Sequence, residues 1–242
     1  WAWVSFLSQI LGLVCGIVIA GRLWPSLRVT TKGLTQKSFR SLFRVGGKIF
    51  LIRLTHMMSV RMDPFVLTAF LGPAAVAVYR PGLRLCTLIR PLVSSLSDQL
   101  FPVTTASYVK GRKQELQKTL VLGTRYTLLM GIPACVILGF LADPIIRIWV
   151  GRSLGDNYVI TARVLAGWAI IDLFGYASGA QWAVLLGMDR LNFLLWTTVP
   201  FAIINLLVSI ILVGYTSMGV LGVVLATVVI SIIRRPVLIV YT

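Results

Sequence analysis

The sequence predicts an all-α integral membrane protein, and three observations carry that prediction. The chain is 57% hydrophobic and only 12% charged, where an ordinary soluble domain has roughly 25% charged residues. Its mean hydropathy is +0.90. Apolar runs long enough to cross a bilayer recur along it, separated by short connections rich in Lys and Arg. Helices satisfy every backbone group within lipid at these lengths.

With about 20 mainly apolar residues as the ruler, seven candidate spans follow one another. The first, 2–21, carries no charge. Next come 42–60 and 74–106, the latter longer than a bilayer needs and so expected to tilt, kink or extend into water. The run 119–141 contains Arg125, and 159–187 contains Arg163 and Asp172. The uncharged stretch 191–233 is too long for one span, and "GYTSMG" at 214–219 supplies the turn that divides it.

Basic residues set the expected orientation. Placing the 22–48 connection inside puts Arg22, Arg28, Lys32, Lys37, Arg40, Arg44 and Lys48 at the cytoplasmic face. Alternation adds Lys110, Arg112, Lys113, Lys118, Arg190, Arg234 and Arg235 there, against Arg61, Arg147 and Arg152 outside. That bias follows the positive-inside rule. A net charge of +16 would suit nucleic acid, but these residues lie between apolar stretches instead of along one soluble face.

The chain opens within an apolar run and lacks an initiator Met, so it is expected to be part of a longer protein. Residues 22–41, with Pro25 and Gly33, form the longest polar stretch and read as a basic linker between two bundles, or a surface helix on anionic lipid. Cys15, Cys86 and Cys135 all fall in spans without a Cys-x-x-Cys pair and read as small buried hydrophobes. Gly12 with Gly16, and Gly175 with Gly179, offer small faces for close helix packing.

Charges inside spans are the informative residues. An arginine at mid-bilayer costs about 2.5–3.5 kcal/mol, yet residues 70–92 contain Arg80, Arg84 and Arg90. On a helix Arg84 sits about 40° from Arg80, so the two share a cationic side. In the preceding span Arg53, His56 and Asp63 share one side in the same way, and Asp63 is placed to pair with an arginine. A water-filled cavity lined by Arg53, Arg80, Arg84 and Arg90 removes most of the insertion cost; snorkelling to the interfaces is the competing explanation. His56, Asp63, Asp172 and Gln181 are candidates for lining that cavity or for coupling to Na+ or H+, with an arginine or Tyr176 as an alternative partner for Asp172. Pro81, Pro91 and Pro133 each remove a helical N–H and are kink or hinge candidates.

Catalytic signals are lacking. One histidine excludes a His-pair zinc site, and there is no phosphate loop, nucleophile elbow or acidic cluster for a divalent metal. The sequence therefore predicts no enzyme, no catalytic residue, no metal site and no cofactor.

Five segments, in order, carry a family resemblance: "FLGPAAVAVY" with "LRL" after it, "FPVTTASYVKGRKQELQKTLVLGTRY", "LADPIIRIWVG", "AVLLGMDRLNFLL" and "GVLGVVLATVVI". Over residues 38–242 the chain resembles the polysaccharide and oligosaccharide flippases of the multidrug/oligosaccharidyl-lipid/polysaccharide (MOP) exporter superfamily. The resemblance implies a MATE-like fold of two six-helix lobes that rock around a central cavity. Residues 1–21 then correspond to the last helix of the first lobe, 22–41 to the cytoplasmic inter-lobe linker and 42–242 to the second lobe. It also implies a polyprenyl-pyrophosphate-linked oligosaccharide as substrate and a bacterial or archaeal inner membrane as location. Glycosyltransferases and a polymerase of the same cell-envelope pathway are candidate partners. The cavity arginines would meet the pyrophosphate with forked donors. A cation-coupled multidrug extruder of the same fold is the alternative, although its substrates favour acidic or aromatic cavities. A membrane-embedded glycosyltransferase or polymerase is more remote, because the expected outer segments hold just Asp63, Asp143 and Asp156.

Overall fold

The computed structural model describes residues 2–23 and 35–241, and most of the expected 22–41 linker lies outside them. Helices follow one another without a strand among the described residues: α1 (Ala2–Leu23), α2 (Gln36–Leu71), α3 (Pro73–Asp98), α4 (Leu100–Val109), α5 (Lys113–Phe140), α6 (Ala142–Leu154), a short 3-10 turn (Gly155–Asn157), α7 (Tyr158–Gly187), α8 (Leu191–Tyr215) and α9 (Val220–Tyr241). The protein is all-α. Three stretches among the described residues are long and apolar enough to span a membrane on length and composition alone: 113–140, 142–187 and 191–215. Large apolar side chains such as Phe140, Ile148 and Trp196 stand exposed on the helices, which suits hydrocarbon surroundings better than water.

Contacts divide the chain into two units, Trp1–Arg44 and Val45–Thr242. The first holds α1, whose apolar side chains such as Trp3, Leu11 and Leu23 are exposed, together with the start of α2. Gly12 and Gly16 have open space around them, so the small face expected there has no neighbour among the described residues.

The second unit is organised around α7, which packs against α3, α4, α5, α6 and α9, while α8 pairs mainly with α9. A polar residue on a central helix must find partners in its neighbours, and α7 does so repeatedly. Thr161 donates to the Val78 carbonyl of α3 at 2.8 Å. Leu165, Trp168 and Ala169 fill the core with Val66, Leu67, Tyr79 and Val223. Gly82 permits a close approach of α3 to α7: a Cβ there would lie 2.8 Å from the Thr161 carbonyl oxygen. Gly179 packs closely on Ser97 of α3, whereas Gly175 meets only the end of the Arg235 side chain of α9 at ordinary contact distance.

Several boundaries differ from the sequence reading. The helix expected to end at residue 60 does not end there: α2 continues through Pro64 to Leu71 and the chain turns only at Gly72, whose φ of +83° favours a residue without a side chain. The 74–106 helix divides at Gln99 into α3 and α4. The segment that holds Asp143, Arg147, Arg152 and Asp156 forms α6 and the 3-10 turn. Helix α7 closes at Asp189 (φ 55°), where the Arg190 amide returns to the Leu185 carbonyl at 3.0 Å in the manner of a left-handed cap. Residues 216–219 separate α8 from α9 where "GYTSMG" places the turn. Pro81 and Pro91 lie inside α3 and Pro133 inside α5.

Candidate functional site

Within the second unit, α2, α3, α7, α8 and α9 enclose a cavity of about 270 Å³. Three arginines line it, Arg90 of α3 with Arg234 and Arg235 of α9, and Asp172 of α7 is the single carboxylate among them. His56 of α2 and Asn205 of α8 complete its polar wall. Three guanidiniums against one carboxylate leave the lining cationic. An anion is the ligand that such a wall favours.

Each cation is held differently. Arg90 donates from Nε to Asp172 Oδ1 at 3.0 Å, and its Nη2 lies 2.8 Å from the same oxygen. That Nη2 has no well-directed hydrogen bond, so the pair falls short of the fork that takes one oxygen with each nitrogen. The Arg90 guanidinium also sits 5.3 Å from the Trp168 ring centre, within cation–π range. Arg235 donates to Ser178 Oγ at 2.6 Å and to the Ile171 carbonyl at 3.3 Å, both on α7. Arg234 donates from Nη2 to Thr198 of α8 at 3.2 Å and faces the Trp182 ring at 6.0 Å, while its buried Nε has no hydrogen-bond partner. Two cavity arginines therefore keep donor capacity that no other described residue uses.

A buried chain supports Arg90 from behind. Trp168 donates from Nε1 to Tyr79 Oη at 3.1 Å, and Tyr79 donates to Asp63 Oδ2 at 2.8 Å. Tyr79 is 0% exposed and Asp63 3%. The chain ties α2, α3 and α7 together beside the site. A second hollow of about 290 Å³, between α5 and α7 around Cys135 and Leu173, is almost wholly apolar.

The structure redistributes the residues picked out by sequence. Of the four arginines expected together, only Arg90 lines this cavity; Arg53, Arg80 and Arg84 are exposed elsewhere on their helices. The reason is rotational: α3 turns Tyr79, Gly82 and Cys86 into the core, which carries Arg80 and Arg84 outward. His56 and Asp172 line the cavity, whereas Asp63 meets Tyr79 behind it and takes no arginine among the described residues. Gln181 is buried on α7 away from the lining, with Oε1 lacking a hydrogen-bond partner.

Arg234 and Arg235 are the residues that sequence reading missed, having assigned them to the cytoplasmic end. A span counted from Val220 needs about 20 residues and so runs past Arg235.

The family of polysaccharide biosynthesis proteins matches residues 2–157. The chain belongs to that family. This is the polysaccharide flippase branch of the MOP superfamily to which the five segments pointed. Among curated relatives, the uncharacterized membrane protein EpsK of Bacillus subtilis is 23% identical over 229 residues, covering 93% of this chain and 44% of its own. The uncharacterized membrane protein MJ1068 of Methanocaldococcus jannaschii is 22% identical over 228 residues, with the same shares. The probable lipid II flippase MurJ of Buchnera aphidicola is 40% identical over 73 residues, which is 29% of this chain and 14% of that one. The chain thus spans less than half the length of the relatives that it matches throughout. No solved structure matches it. With its apolar helices, the chain is a multi-pass membrane protein.

Proposed function

We propose that this chain forms the second lobe, preceded by the last helix of the first, of a flippase with a MATE-like fold. It moves a polyprenyl-pyrophosphate-linked oligosaccharide from the cytoplasmic to the outer leaflet by alternating access, for cell-surface polysaccharide. The observation that carries this reading is the cationic cavity of Arg90, Arg234 and Arg235. A pyrophosphate diester needs compensating charge to cross hydrocarbon, and arginine donors supply it without a fixed metal. Family membership and the flippase name of the MurJ relative support the same reading.

Arg53, Arg80 and Arg84 enter the proposal as exposed donors for the same headgroup outside this cavity. Pro81, Pro91 and Pro133 are the proposed bending points. The membrane is the cytoplasmic one of a bacterium or archaeon, with the basic connections inside, and the natural neighbours are the glycosyltransferases and polymerase of the pathway. The test uses the complete natural protein in proteoliposomes with a fluorescent polyprenyl-pyrophosphate oligosaccharide. Leaflet-resolved translocation supports the flippase; export of cationic dyes without lipid movement replaces it with a multidrug extruder.

A further inference from the structure

We propose that Asp172 is a resident counter-anion, which holds Arg90 while the cavity is empty and surrenders it to the headgroup phosphate, taking up a proton as it does so. The proposal rests on the anion-binding reading of the cavity. Its starting point is the asymmetry of the three arginines. Arg235 is already committed to Ser178 and the Ile171 carbonyl, and Arg234 to Thr198. Arg90 alone is held by a charge, and held imperfectly, with two nitrogens converging on one oxygen. An anion entering beside Arg234 and Arg235 reaches Arg90 as a competitor of Asp172. A phosphate offers the forked geometry that this carboxylate does not provide.

The carboxylate left behind has few other resources. From α3 it faces Arg90 and Cys86, from α5 Cys135, from α9 Arg235, and on α7 itself Tyr176, while His56 of α2 and Arg234 of α9 line the same cavity. Arg235 is the remaining cation within reach, and its guanidinium is anchored by the two bonds to α7. A carboxylate buried in a span without its partner is neutralised instead of kept as a bare charge. The proton comes from cavity water and forms an O–H bond on Asp172; no other bond changes. Anion binding and proton uptake are thereby linked, and affinity falls as pH rises, by up to about tenfold per pH unit where one proton is exchanged.

The experiment is calorimetry on the complete protein in detergent, in buffers of different ionisation enthalpy. The ligand is a short-chain prenyl diphosphate sugar, a diester that does not titrate near neutrality. The wild type is expected to take up about one proton per ligand. Asp172→Asn should take up none and bind more tightly, with affinity no longer dependent on pH. Arg90→Gln frees Asp172 before the ligand arrives, so binding is weaker and again without uptake; this variant decides the matter should Asp172→Asn fail to fold. Binding by the wild type without proton uptake, or uptake that persists in Asp172→Asn, overturns the exchange while leaving the anion site intact. No binding by the wild type overturns both. Sulfate, a non-titrating free anion, is run alongside: uptake with the diester alone assigns the exchange to a lipid headgroup, and equal uptake with sulfate keeps it but assigns it to a free anion.

Discussion

Arg90 of α3 and Asp172 of α7, 82 residues apart, meet in a 2.8 Å ion pair at the wall of a cationic cavity. Removing one partner from a buried pair leaves an uncompensated charge and typically costs about 3–5 kcal/mol, whereas replacing both by apolar groups of similar size is often neutral. Arg90 is 27% exposed, so the lower end of that range applies. Arg90→Leu should therefore lower thermal stability in detergent more than Arg90→Leu combined with Asp172→Leu. Equal losses in the single and double variants would show that the pair contributes little.

Tyr79 links Asp63 to Trp168 with no exposure to solvent. Tyr79→Phe keeps the ring volume but strips Asp63 of its donor and Trp168 of its acceptor. A loss of about 1–3 kcal/mol is expected for buried groups left unsatisfied. Denaturant or thermal unfolding measures it, and Trp168→Phe, which leaves the Tyr79–Asp63 bond in place, should cost less.

Gly82 and Gly16 give a contrast in packing. A Cβ at position 82 meets the Thr161 carbonyl oxygen at 2.8 Å and the Leu165 nitrogen at 3.0 Å, both backbone, while position 16 has nothing within 4 Å. Gly82→Ala should destabilise the protein by about 1–3 kcal/mol, the usual range for overpacking. Gly16→Ala should be neutral or slightly stabilising, as alanine favours the helix. Melting temperatures of the two variants check the difference.

The class of the fold was legible because apolar runs of spanning length leave few alternatives to helices. Boundaries were less legible where charge and proline imitate a loop. The α2 segment around Arg61, Asp63 and Pro64 reads as a connection, yet Tyr79 from the next helix satisfies Asp63 and the helix continues. Of the site, Arg90, His56 and Asp172 were visible as ionisable residues within spans. Periodicity alone left open which face of α3 turns inward, so Arg80 and Arg84 were grouped with Arg90. Gly82 settles this in the structure, since its close approach to Thr161 turns the Tyr79–Gly82–Cys86 face to α7. Arg234 and Arg235 were hidden because charges at the end of an apolar run look like a membrane boundary.

Leaflet-resolved translocation of the fluorescent polyprenyl-pyrophosphate oligosaccharide, compared between wild type and folded Arg90→Ala, Arg234→Ala and Arg235→Ala, tests the central claim most directly. A lost charge-assisted contact is worth about 1.5–3 kcal/mol, so at least one variant should slow translocation by about tenfold or more. Translocation at the wild-type rate in all three would contradict the account, since the cationic cavity would then hold no headgroup.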